Sequence, residues 1–125
     1  MTYLLVYGTL MRRYNNPYAV NLRKQAKYLY EGKIKGTLYH LGQYPGLIRS
    51  ELEDQWVNGE IFQLPDSPKL LKSLDEYEGY TEASPGLCEF VRQKTPVLTP
   101  ANRWLECWAY LYNGSIEGLG PIEKW

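Results

Sequence analysis

The chain has 125 residues, which is the size of one domain with one hydrophobic core, and we treat residues 1–125 as a single domain. Its 14 lysines and arginines balance 14 aspartates and glutamates, so no broad electrostatic field indicates a nucleic acid or an anionic membrane as partner. Small molecules are therefore the expected partners. Cys88 and Cys107 have neither CxxC spacing nor a neighbouring histidine, which argues against a metal site and is typical of buried thiols in a reducing cytosol.

The first half of the chain predicts a strand, a helix and further strands. Residues 1–7 are a core strand, because the apolar run around them is too short to span a bilayer and is broken at Gly8. Asn16 and Pro17 predict the start of a helix whose apolar stripe continues to about Leu29. Alternation then predicts strands over 33–41, 47–50 and 55–64, with a possible bulge at Gly36 and a turn at residues 44–46.

The stretch from Ser67 to Gly79 predicts a second helix with an acidic residue on its buried side. Ser67 is the expected N-cap, Pro68 the first helical residue and Gly79 the stop. At 100° per residue, Glu78 falls within the apolar arc of the helix, which consists of Leu70, Leu71, Leu74 and Tyr77. A carboxylate turned inward is costly unless it is paired or used, and both burial and the negative end of the helix dipole raise its pKa. Glu78 is therefore the most informative residue of the chain.

The remaining sequence predicts three strands after a loop at Pro85-Gly86. They cover residues 87–92, 95–99 and 104–112, and the last alternates, with Tyr110 on one face and Cys107 on the other. Residues 113–125 are expected to be irregular, with Trp125 docked on the domain. Two helices among many strands predict an α+β domain built on a mixed, strongly curved sheet or a small barrel.

Three motifs, in this order, resemble one known family. Residues 7–10 read Tyr-Gly-Thr-Leu, residues 44–46 read Tyr-Pro-Gly, and residues 74–79 read Leu-Asp-Glu-Tyr-Glu-Gly. Together they resemble the gamma-glutamylcyclotransferase-like, or AIG2-like, family, whose members have an N-terminal Tyr-Gly-Ser/Thr-Leu loop and a glutamate in a Leu-Asp-x-aromatic-Glu-Gly context. Residues 90–92, 108–110 and Trp125 also resemble the later strands and tail of the family, so the resemblance covers nearly the whole chain.

The resemblance implies a cofactor-free, cytoplasmic enzyme that acts on a γ-glutamyl amine or amino acid. A closely related version in the family acts on glutamate attached through its γ-carboxyl to a lysine side chain or to a biosynthetic intermediate, and the sequence does not choose between them. In the family chemistry, the α-amine of the glutamyl group attacks its own γ-carbonyl, which closes 5-oxoproline and releases the attached amine. Because the nucleophile belongs to the substrate, no Ser-His-Asp or Cys-His machinery is needed, and the single histidine, His40, is interpreted as structural.

By the same resemblance, Glu78 is the general acid/base. The backbone amides of Gly8, Thr9 and Leu10 are expected to cradle the glutamyl carboxylate or the oxyanion, and Tyr7 and Tyr110 to line the pocket and offer hydroxyls. The leaving group is expected to be selected by loop residues around Tyr44 and 81–86.

The sequence leaves several points open. Arg92 is either a ligand for a substrate carboxylate or an ion-pair residue, and Phe90 stands where the family often has a tyrosine. A non-catalytic small-molecule-binding or regulatory module of the same fold is the alternative to an enzyme. A third possibility is a structural domain whose pocket is closed by the Trp125 tail, which a cavity joining Gly8, Glu78 and Tyr110 would exclude. Oligomeric state and the identity of the leaving amine stay undetermined.

Overall fold

A computed structural model describes residues 1–51 and 54–125, and it has the predicted α+β character. No helix in these residues is long and apolar enough to cross a membrane. A 3₁₀ turn, Pro85–Leu87, precedes the strand that begins at Phe90. The strands are β1 (Thr2–Val6), β2 (Lys27–His40), β3 (Pro45–Arg49), β4 (Trp56–Leu64), β5 (Phe90–Leu98), β6 (Trp104–Tyr112) and β7 (Pro121–Ile122), and the helices are α1 (Pro17–Gln25) and α2 (Lys69–Glu78).

Five strands close into a small mixed barrel. The sheet runs β3-β2-β4-β1-β6-β5, and a further pairing of Lys33 with Leu98 brings β5 back to β2. The β1–β6 pair is parallel, whereas the other pairs are antiparallel. The short strands β3 and β7 extend β2 outside the closed circuit. Closure leaves few free strand edges, and it places the middle of β1 beside the middle of β6, where Leu4 pairs with Trp108.

The buried apolar side chains of the barrel strands form two separate clusters. In β1, Leu5 belongs to the first cluster, together with Ile34 and Ile61, whereas Leu4 and Val6 belong to the second. The second cluster includes Leu22 of α1 and Leu74 of α2, so it is the layer between the barrel and the helices. The alternation predicted for β6 is confirmed, because Cys107, Ala109 and Leu111 lie in the first cluster and Tyr110 in the second.

The first helix is shorter than predicted. Asn16 caps it as expected, since its Oδ1 accepts the Ala19 amide at 2.8 Å, but the helix ends at Gln25 rather than near Leu29. The segment that follows pairs with β4, and this long-range pairing overrides the local apolar stripe. The predicted bulge at Gly36 is also wrong, because the irregularity in register lies between Tyr28 and Tyr30.

Other predicted boundaries shift for similar reasons. The turn placed at residues 44–46 lies earlier, where the Leu41 amide donates to the Tyr44 carbonyl, and Pro45 already belongs to β3. Helix α2 begins one residue later than predicted, although the Ser67 hydroxyl still accepts the Lys69 amide. The two strands predicted over 87–92 and 95–99 are one strand, β5, because it pairs with β6 along its whole length. The tail is not wholly irregular, since β7 pairs with β2.

Candidate functional site

One cavity of about 210 Å³ brings together most of the predicted site residues. Its walls come from the end of β1 and the loop after it, the end of α2, the start of β3, and strands β5 and β6. The volume lies below the roughly 300–1,000 Å³ of pockets for drug-sized ligands and suits a group about as large as an amino acid. Its lining includes Tyr7, Gly8, Thr9, Leu10, Tyr44, Pro45, Tyr77, Glu78, Glu89, Phe90 and Tyr110. The possibility of a pocket closed by the tail is therefore excluded.

Glu78 lies in this cavity as an unpaired carboxylate. It is the last residue of α2, and Gly79 ends the helix in the left-handed conformation, with φ of 73°. The carboxylate makes no hydrogen bond or ion pair with any residue that the structure describes, and its side chain is half-buried. Burial, followed by the nearby charge of Glu89, raises the pKa of Glu78 to about 8. A carboxyl group with a pKa near neutrality can both accept and return a proton.

Residues 8–10 supply unused backbone donors in the same cavity. The amide N–H groups of Gly8, Thr9 and Leu10 donate no hydrogen bond to the described part of the chain. The loop itself is held firmly, because Asn16 Nδ2 donates to the Thr9 carbonyl at 2.8 Å and the Thr9 and Tyr77 hydroxyls lie 2.7 Å apart. Consecutive free N–H groups in a fixed loop can bind a carboxylate or an oxyanion.

Gly8 is closely packed against β3. A Cβ atom there would lie 3.0 Å from both Cδ and Cγ of Pro45, the first residue of β3. The ring of Pro45 has little freedom to move, so a side chain at position 8 would displace the loop.

Tyr7 and Tyr110 line the cavity, but their hydroxyls already have partners. The Tyr7 hydroxyl donates to the Tyr110 carbonyl and accepts the Leu47 amide, which ties β1 to β6 and β3. The Tyr110 hydroxyl donates to Asp75 Oδ1 at 2.7 Å. Burial raises the pKa of both phenols, so both stay protonated. The two hydroxyls are therefore used in hydrogen bonds within the fold, and the two residues form part of the cavity wall.

Arg92 is an ion-pair residue in this fold. Its Nε and Nη2 atoms contact the two carboxylate oxygens of Asp75 at 2.7 and 3.1 Å, and Nη2 also reaches Glu82 at 3.1 Å. Its guanidinium lies 4.4 Å from the ring centre of Trp108. Since Asp75 precedes Glu78 by three residues on α2, this contact and the Tyr110 hydroxyl anchor the end of the helix to β5 and β6.

The sequence did not indicate Glu89, which forms the solvent side of the cavity with Tyr44. The Tyr44 hydroxyl donates to Glu89 Oε1 at 2.6 Å. The prediction for Tyr44 as a pocket residue agrees with this position. Residues 81–86 do not line the cavity, and Glu82 instead contacts Arg92. No local pattern marks Glu89, since its partner is 45 residues away along the chain.

Comparison with known proteins decides the family. The family model for gamma-glutamyl cyclotransferase, AIG2-like, matches residues 4–125. The chain belongs to this family. A comparison with curated proteins gives no match.

Solved structures of low sequence identity have the same fold. An AIG2-like protein from Mus musculus superposes with a TM-score of 0.76 at 22% identity, covering 100% of this chain and 88% of that chain. The protein YtfP from Escherichia coli has a TM-score of 0.65 at 28% identity, covering 98% of this chain and 93% of that one. A solved gamma-glutamyl cyclotransferase has a TM-score of 0.64 at 19% identity, covering 89% and 66%. The predicted fold and family resemblance are thus confirmed.

Proposed function

We propose that this protein is a cyclotransferase that converts a γ-glutamyl amine or amino acid into 5-oxoproline and a free amine. The observation that carries the proposal is the pairing, in one cavity of amino-acid size, of an unpaired carboxylate, Glu78, with the free N–H groups of residues 8–10. Family membership supports the same reaction class. An ordinary binding pocket has little use for an unpaired carboxylate of raised pKa.

In the proposed reaction, the glutamyl part of the substrate binds against the loop at residues 8–10. Glu78 takes a proton from the α-ammonium, and the freed amine attacks the γ-carbonyl carbon to form the ring C–N bond. The negative charge that develops on the carbonyl oxygen is stabilised by backbone N–H donors. Protonated Glu78 then gives its proton to the leaving nitrogen as the original C–N bond breaks, and the carboxylate so formed takes the second proton from the ring nitrogen, which leaves neutral 5-oxoproline. The released amine takes this proton from Glu78 and leaves as an ammonium ion, so the carboxylate is restored.

The test is to incubate the protein with a panel of γ-glutamyl amides and γ-glutamyl amino acids and to quantify 5-oxoproline. We expect product with the unchanged protein and a loss of about 10²- to 10⁴-fold for Glu78→Gln. Glu76→Gln is the matched control, because Glu76 is exposed on the same helix and does not line the cavity. Equal product from wild type and Glu78→Gln would remove Glu78 from the mechanism. No product across the whole panel would favour the non-catalytic binding module.

We also infer a reducing compartment for the protein, such as the cytosol. Cys88 and Cys107 are both free and buried, and burial raises the pKa of Cys107 to about 12, so its thiol stays protonated and unreactive.

A further inference from the structure

Two hydroxyl groups in the cavity have only each other as partners. Thr9 Oγ1 and the Tyr77 hydroxyl oxygen lie 2.7 Å apart, and neither makes another hydrogen bond to a residue that the structure describes. Each hydroxyl carries one hydrogen, and only one of the two hydrogens can lie between the oxygens. The pair therefore has one O–H hydrogen left over, and both residues line the cavity.

The positions of both hydroxyls are fixed by α1. Asn16, the cap of α1, donates from Nδ2 to the Thr9 carbonyl at 2.8 Å, and the ring of Tyr18 packs on the ring of Tyr77 with centres 4.6 Å apart. Among the described residues, the Thr9–Tyr77 contact is also the one hydrogen bond between residues 8–10 and α2. The pair thus joins the loop of backbone donors to the helix that carries the acidic residue of the cavity.

The direction of this hydrogen bond follows from the acidity of the two groups. A phenol is a stronger acid than an aliphatic alcohol, so the Tyr77 hydroxyl is the better donor and Thr9 Oγ1 the better acceptor. The hydrogen left over is then that of Thr9, next to the free N–H groups of residues 8–10. Donation from Tyr77 polarises the Thr9 hydroxyl and strengthens it as a donor.

A ligand carboxylate in this cavity has to be bound by neutral groups. None of the described lining residues is lysine, arginine or histidine, and Arg92 is occupied by Asp75 and Glu82. A carboxylate offers about four acceptor sites, which is more than the N–H groups of residues 8–10 can fill. The Thr9 hydroxyl is the side-chain donor beside them.

We propose that Tyr77 is a positioning residue that donates to Thr9 Oγ1 and so directs the Thr9 hydroxyl hydrogen to the α-carboxylate of the bound glutamyl group. This inference rests on the proposed function, and it adds two side chains to that site. The α-carboxylate does not react, so a contact with it is made equally in the ground state and in the transition state. Loss of the contact should therefore raise KM and leave kcat unchanged.

The experiment measures kcat and KM for 5-oxoproline formation from γ-L-glutamylbutylamide. Thr9→Val keeps the shape but removes the hydroxyl, and it should raise KM about 10- to 100-fold, as for a hydrogen bond to a charged group, whereas Thr9→Ser should stay within about twofold of wild type. Tyr77→Phe should raise KM about fivefold in wild type and not at all in Thr9→Val, because it acts through Thr9. Tyr18→Phe is the matched control. Its hydroxyl has no partner among the described residues and Tyr18 does not line the cavity, so both constants should be unchanged.

Two results would overturn the inference and leave the proposed function standing. One is an unchanged KM in Thr9→Val, with or without a lower kcat. The other is an effect of Tyr77→Phe that is as large in Thr9→Val as in wild type.

Calorimetry with γ-L-glutamylbutylamide and its α-carboxamide decides the inference if no γ-glutamyl compound yields 5-oxoproline and the proposed function fails. Tighter binding of the carboxylate by wild type, lost in Thr9→Val, supports the inference. Equal binding of the two compounds, binding of neither, or a preference that persists in Thr9→Val overturns it.

Discussion

The contact between Arg92 and Asp75 is expected to be the strongest electrostatic tie in the part of the chain that the structure describes. Arg92 is 7% exposed and Asp75 15%, and two hydrogen bonds join them. Removing one partner of a buried pair costs about 3–5 kcal/mol. Because Asp75 keeps the Tyr110 hydroxyl, we expect Arg92→Met to lower the free energy of unfolding by about 3 kcal/mol. Asp75→Asn leaves Arg92 with exposed Glu82 and should cost about 2 kcal/mol.

A double-mutant cycle measured by urea unfolding at pH 7 isolates the interaction. We expect a coupling energy of about 1.5–3 kcal/mol between Arg92 and Asp75. The matched control is the pair of Lys94 on β5, the strand that carries Arg92, and Glu106 on β6. This pair lies at 3.7 Å with both side chains more than half exposed and should couple by less than about 0.5 kcal/mol. A coupling energy for Arg92 and Asp75 no larger than that of the surface pair would refute this account of how α2 is anchored.

Two further substitutions test the cavity. Glu78→Gln should remove a pH dependence of stability. The pKa of Glu78 is 4.5 in the unfolded chain and about 8 in the folded protein. Between these pH values, the free energy of unfolding of wild type should therefore fall by about 1.4 kcal/mol per pH unit relative to the variant, at most about 5 kcal/mol in all. Urea unfolding at pH 5, 6.5 and 8 measures this, and a constant difference would contradict it. Gly8→Ala should lower kcat/KM for 5-oxoproline formation about 10- to 100-fold by displacing the loop from Pro45. Gly86→Ala has open space at its Cβ and should leave the rate unchanged, and equal rates for the two alanine variants would argue against the cradle.

Local patterns in the sequence predicted the parts of the fold that local physics controls. The cap at Asn16, the stop at Gly79 and the alternation of β6 depend on hydrogen bonds and side-chain directions within a few residues. The end of α1 and the continuity of β5 did not follow from such patterns, because pairing with distant strands decides both.

The candidate site, too, was predictable from the sequence only in part. Helical spacing placed Glu78 on the buried face, and the glycine in residues 7–10 indicated a close backbone approach, here to Pro45. The contact between Arg92 and Asp75 joins residues 17 positions apart, and the contact between Tyr44 and Glu89 joins residues 45 positions apart, so both depend on how the barrel closes. Sequence spacing carries no signal for contacts of that kind.

The most direct test of the account is the titration of the Glu78 carboxyl group itself. The protein is labelled with ¹³C at the glutamate side-chain carboxyl, and the Glu78 resonance is assigned by its absence in Glu78→Gln. We expect this resonance to titrate with a midpoint of about 8, because burial and the charge of Glu89 both disfavour the ionised form. A midpoint near 4.5, the ordinary value for glutamate, would contradict a desolvated acid/base in this cavity.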